Sequence, residues 1–97
     1  ASQRPEYAAL AQNYPNPFNP STTIRYQVDR AGPVSLRVID VRGRVVRTLV
    51  SGSREPGWYQ VRWNGDDDSG QAVASGLYFY RMRAGEFEDQ KKLLLVK

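Results

Sequence analysis

The chain contains no cysteine and no histidine. Without cysteine there is neither a disulfide framework nor a thiolate metal site; without histidine the usual general base and the commonest metal ligand are both missing. Catalysis is therefore expected to lie elsewhere, and neither a cofactor nor a metal is expected to bind. The lack of cysteine leaves the compartment open, because a domain of this size can be stable without disulfides. Long apolar runs are missing as well. The longest, Leu93-Leu94-Leu95-Val96, is strand length, far short of the ~18–20 residues of a membrane helix, so no transmembrane segment is expected. Ala1 to Leu10 lacks the charged start and apolar block of a signal peptide. An exported protein would carry its signal upstream in a larger parent, or as a different kind of signal within this piece.

What remains is a basic chain rich in punctuation. Its 97 residues suffice for one core that removes roughly 60–70% of the unfolded surface from water. The net charge of +4 rests more on arginine than on lysine: Arg25, Arg37, Arg42, Arg44, Arg47, Arg62, Arg81 and Arg83 mostly alternate with apolar residues, as a solvated outer face does. Such charge can attract an anionic surface, whether nucleic acid, acidic glycan or lipopolysaccharide, but it is scattered, and solvation is the expectation. No recognition helix, RNP-like strand pair or zinc-finger spacing is present, so no nucleic-acid partner is expected. The domain is expected to be a monomer.

The most constrained stretch is Asn13-Tyr14-Pro15-Asn16-Pro17-Phe18-Asn19-Pro20. Its prolines fix φ, remove backbone donors and push the preceding residues out of the helical region, so it is neither helix nor central strand. Asn16 and Asn19 can bond nearby backbone groups, and Tyr14 and Phe18 are apolar anchors. These features predict a lid pinned across one end of a core; an ordinary proline-rich linker is the alternative. Residues 1–12 read as the tail of a linker from an upstream domain, and residues 13–97 as the folded unit.

From Thr22 onward the period is two. Thr22, Ile24, Tyr26 and Val28 share one face, then Val34, Leu36 and Val38 after a turn at Arg30 to Pro33. Asp40 to Gly43 reads as a tight turn, with Asp40 capping local amides and Gly43 free to take positive φ. Arg44 to Val50 is a third strand, Ser51 to Pro56 a loop, and Gly57 to Asn64 a fourth strand with Tyr59, Val61 and Trp63 on one side. Gly65 to Gly70 is a loop; Gly76 to Ala84 returns with Tyr78, Tyr80 and Met82 inward, and Phe87 to Lys97 closes the set. This spacing predicts an all-β, immunoglobulin-like antiparallel β-sandwich of about six strands, or seven if part of the proline-rich segment pairs with an edge.

Two groups of residues raise chemical questions. Asp66, Asp67 and Asp68 form a dense carboxylate run that can be weighed as a calcium loop, but the EF-hand spacing is absent and a solvated turn is preferred. Adjacent turn carboxylates also make poor glycosidase machinery, which needs an acid and a nucleophile facing each other across a cleft. Trp58 and Phe79, both outward, can be weighed as a stacking platform for sugars or bases against simple cover of a sheet face.

Four segments in order resemble one family: Asn13 to Pro20; Val38 to Val46; Trp63 to Gly70 with Ser75 to Tyr78; and Lys91 to Lys97. Together they resemble the type A C-terminal sorting domain of proteins exported by the bacterial type IX secretion system, itself similar to the immunoglobulin-like domain of the flagellar hook-capping protein. The resemblance implies a non-catalytic sandwich within a larger extracellular protein, read by the outer-membrane translocon. It further implies removal by a sortase-like surface protease and attachment of the cargo to anionic lipopolysaccharide, which places the parent at the cell surface or outside the cell. The family's Pro-Asn-Pro element falls on Pro15, Asn16 and Pro17, and its Asp-x-x-Gly turn on Asp40 and Gly43. Its recognition strand falls on Lys92, Leu93, Leu94, Leu95, Val96 and Lys97, where strand addition by a receptor is the expected mode. The competing expectations are a carbohydrate-binding or spacer module of a polysaccharide-degrading enzyme, and a hook-capping-type assembly domain.

Overall fold

Seven strands build the fold: β1 (Ala9–Leu10), β2 (Thr22–Val28), β3 (Gly32–Ile39), β4 (Val45–Arg54), β5 (Gly57–Trp63), β6 (Gly76–Ala84) and β7 (Phe87–Leu95). The structure is a computed structural model that describes residues 6–97; residues 1–5 of the expected linker tail lie outside the described residues. The strands form two antiparallel sheets, one of three in the order β1-β2-β5 and one of four in the order β4-β3-β6-β7. The chain changes sheet between β2 and β3, between β4 and β5, and between β5 and β6, which makes an all-β, immunoglobulin-like sandwich. Among the described residues no helix is long and apolar enough to cross a membrane.

The alternating residues face as the sequence predicts. Thr22, Ile24, Tyr26 and Val28 are buried, and so are Val34, Leu36 and Val38 on the facing sheet, where Tyr78, Tyr80 and Met82 of β6 join them. Trp63 and Phe18 close one end of this core, their ring centroids 5.4 Å apart, with Tyr78 edge-on to Trp63 at 5.5 Å. Each such buried side chain contributes roughly 1.5–3 kcal/mol of transfer free energy, so the aromatic end is a large share of what holds the sheets together.

Three expectations need correction. Residues 9–12 are not linker: Ala9 and Leu10 pair with Gln27 and Tyr26, and Leu10 is buried in the core. The seventh strand is therefore this short β1, upstream of the proline-rich segment. Ser51 to Arg54, expected as loop, continue β4 opposite Gly32 to Ser35. Two register shifts in the β3–β4 ladder, between Leu36 and Arg37 and between Val38 and Ile39, break the alternation of β4. This sets Arg47 opposite the buried Val38 and leaves it half-buried rather than on a fully solvated face.

Candidate functional site

The proline-rich segment is a strap along the outer edge of β7. The Phe18 N–H donates to the Leu94 carbonyl at 3.0 Å, and the Val96 N–H donates to the Phe18 carbonyl at 3.0 Å, a parallel bridge between Phe18 and Leu95. Asn16 Oδ1 accepts the Leu94 N–H at 2.9 Å, and Gln12 Nε2 donates to the Lys92 carbonyl at 2.8 Å. Prolines cannot supply donors for a regular added strand; the side chains of Gln12 and Asn16 take their place. The partner of Asn16 is thus 78 residues away in sequence rather than local. Pro15 serves through its carbonyl, which accepts from Thr22 Oγ1 at 2.8 Å and Asn13 Nδ2 at 3.2 Å, while Pro17 is exposed. The peptides preceding Pro15, Pro17 and Pro20 are cis.

The strap is fastened from beneath. Asn13 and Thr22 are both buried and bonded to each other, Asn13 Nδ2 to Thr22 Oγ1, at 2.9 Å. The buried Tyr80 hydroxyl accepts the Asn13 N–H at 2.8 Å and donates to the Ala11 carbonyl at 2.7 Å. Burial pushes the Tyr80 phenol up to about 12, against a smaller downward pull from the Asn13 N–H. Phe18 is the apolar anchor foreseen in the sequence, but Tyr14 is not: it is 81% exposed, because its bridge to Thr23 turns it to the outer face.

The strand Lys92 to Lys97 divides by parity. Leu93 and Leu95 are core residues, whereas Leu94 is 39% and Val96 45% exposed, and Lys92 projects outward. Leu77, 42% exposed, lies beside Leu94 on the same outer face. Lys97 reaches back to the Val73 carbonyl. The main-chain groups on which a receptor strand would pair at Leu94 and Val96 already have partners in the strap. The expected open edge is closed there.

Distant motifs meet at this end. Gly65 has φ +72°, a backbone conformation that favours glycine, and the loop passes within van der Waals contact of Leu95 at the β7 terminus. In the Asp66–Asp68 run each carboxylate faces its own partners: Asp66 pairs with Arg47 at 3.6 Å, and Asp67 Oδ1 accepts from the N–H groups of Ser69 and Gln71 and from the Ser69 hydroxyl. Asp68 Oδ1 accepts the Thr48 N–H at 2.8 Å. These bonds, the Ser69 hydroxyl first, hold the Asp67 carboxyl below its ordinary range. The run is a clasp between the β5–β6 loop and β4, completed by the Arg47 guanidinium, which donates to the Asp67 carbonyl at 2.9 Å.

The Asp40 turn has the predicted form. Asp40 Oδ1 accepts the N–H groups of Arg42 and Arg44 at 2.9 and 3.0 Å, and Gly43 takes φ +85°. Hydrogen bonding, chiefly from the Arg44 N–H, holds the Asp40 carboxyl low. Its negative charge contributes, after burial, to the raised Tyr78 phenol, which puts the turn beside the aromatic end of the core.

Trp58 and Phe79 do not form one platform. Trp58 is on β5 and Phe79 on β6, so they face outward from opposite sheets, and Phe79 is half-buried. The outer face of the three-stranded sheet is instead laid out in cross-strand rows: Gln27 beside Trp58, Arg25 beside Gln60, and Thr23 beside Arg62. Asn13, Thr22, Tyr80 and Arg47 carry the local geometry through side-chain bonds that the sequence pattern assigned to none of them. Thr22 alone had a signal, a polar residue in an inward row that requires a partner.

The sequence profile described as the FlgD Ig-like domain matches residues 19–86. No curated protein matches the chain. Among solved structures, dimeric latent PorU from Porphyromonas gingivalis is similar over 92% of this chain and 9% of its own, with 21% identity and a TM-score of 0.72. PorZ from the same organism, described as an essential bacterial surface component of the type-IX secretion system, is similar over 93% of this chain and 11% of its own, with 21% identity and a TM-score of 0.60. The chain thus spans about a tenth of the length of either structure, and at this identity the likeness is one of fold. With the sandwich and the profile match in agreement over most of its length, the chain belongs to the FlgD Ig-like domain family.

Proposed function

We propose that this domain is a type A C-terminal sorting domain: a folded export signal carried by a larger protein and read by the type IX translocon. The observation that supports the reading is the convergence of four separated motif segments at one end of the sandwich, with the strap bonded along Lys92 to Val96. PorZ, one of the similar folds, is described as a component of that secretion system. On this reading the parent reaches the cell surface or the medium, a sortase-like protease removes the domain, and the cargo is joined to anionic lipopolysaccharide. The domain itself carries no catalysis: it lacks histidine and cysteine, and the carboxylates of its aspartate run diverge to separate partners.

The closed β7 edge changes the expected mode of reading. Strand addition at Leu94 would first have to displace Asn16 and Phe18, so the receptor reads outward side chains, with Leu94, Leu77, Val96 and Lys92 as its patch. Residues 1–97 fused to a fluorescent reporter in a host with a type IX system test this. Wild type is expected in the medium or at the surface; Leu94→Ser, and a chain lacking Val96 and Lys97, are expected to fold by circular dichroism yet stay periplasmic. Export of every folded variant like wild type, or retention of wild type, overturns the assignment.

A further inference from the structure

We propose that the outer face of the three-stranded sheet binds a uronic-acid polysaccharide. An open trough of about 580 Å³ lies along this face, with Trp58 on one side and Ala9, Leu10 and Ala11 on the other. The Trp58 ring is 60% exposed, although a residue of its size is normally mostly covered. An exposed indole face beside hydrogen-bonding groups suits a ligand with one apolar and one polar side, which a sugar ring has.

The polar groups on the same face narrow the ligand. Gln27 adjoins Trp58, and Gln60 lies two residues along β5, about 7 Å away. Each amide offers donors and an acceptor together, which matches hydroxyls that both give and take hydrogen bonds. Arg25, next to Gln60, and Arg62, next to Thr23, have no ion-pair partner among the described residues, and the paired rows hold no carboxylate. A neutral glycan would leave both guanidinium groups unmet, whereas sugar carboxylates match their planar forks. A nucleic acid fits less well, because its binding rests on neutralising many phosphates and the paired rows of this face offer two cations among the described residues.

Affinity electrophoresis of the 97-residue chain tests the proposal, with polygalacturonate, heparin, dextran or duplex DNA in the gel. Polygalacturonate is expected to retard the domain and dextran is not. Trp58→Ala is expected to weaken the retardation about tenfold, and Arg25→Gln and Arg62→Gln each severalfold, with folding verified by circular dichroism. Arg83→Gln, on the opposite sheet, is expected to leave it unchanged. Four outcomes overturn the proposal: no retardation of the folded wild type by polygalacturonate, equal retardation by dextran, equal weakening by Arg83→Gln and Arg25→Gln, or heparin or DNA binding tighter than polygalacturonate and indifferent to Trp58→Ala.

Discussion

Arg81 and Arg83 on the four-stranded sheet both meet Glu88 across the β6–β7 hairpin, at 3.7 and 3.5 Å, and Arg81 also donates to Gln90 at 3.0 Å. Arg25 and Arg62 on the three-stranded sheet face glutamine and threonine instead. The same residue type, in the same alternating pattern, shares a carboxylate in one place and has none beside it in the other. The sheets differ at their margins too: β7 is covered by the strap over its last residues, whereas the trough beside β1 stays open. One margin is closed by the chain itself, and the other lies open beside arginines whose rows hold no carboxylate.

Removing the anchor of the strap should disturb this contrast most. Phe18→Ala takes a buried ring from beside Trp63 and is expected to cost about 3–5 kcal/mol, read as a lower urea midpoint. Backbone amides of Leu94 and Val96 should then exchange faster, while those at the centre of β2 follow global unfolding only.

Tyr80→Phe leaves the Asn13 N–H and the Ala11 carbonyl without their partner and is expected to cost about 1–3 kcal/mol. It should also change the response to alkali. A phenol raised from 10.0 to about 12 is favoured in its neutral form by the fold, so its contribution is complete below about pH 10 and is lost between about 10 and 12. Wild type should lose stability over that window, and the variant should lose less, as followed by urea unfolding at fixed pH.

Asn16→Ala sharpens the comparison at lower cost. It removes one exposed hydrogen bond, worth about 0.5–1.5 kcal/mol, so the domain stays folded while the Leu94 amide loses its protection. Unchanged exchange at Leu94 would show that the side chain does not close the edge.

The smallest effect concerns the charges themselves. Glu88→Gln should lower stability by no more than about 1 kcal/mol, and the difference should vanish in high salt. Arg62→Gln should leave stability unchanged, since Arg62 has no ion pair among the described residues. Equal losses for the two substitutions, measured by urea midpoint, would erase the distinction between the faces.

Local physics made much of the fold legible. The period of two fixed the inward rows of β2, β3 and β6, and the capping side chain of Asp40 with the positive φ of Gly43 fixed the β3–β4 turn. The strap was legible as a stiff segment with Phe18 as its anchor, because proline stereochemistry acts within a residue or two. β1 escaped notice because a strand of two residues has no period to detect. Arg47 was misplaced because bulges are set by the partner strand, and each one inverts the faces that follow.

The sequence by itself determined which residues alternate, where the chain turns and what chemistry is missing, since those follow from side chains acting on their own backbone. Only the tertiary structure decided that Asn16 bonds Leu94, that Trp58 and Phe79 face opposite ways and that Glu88 pairs with two arginines while Arg25 has no such partner among the described residues. Those outcomes depend on which strands become neighbours and in what register, and no residue's local preference carries that information.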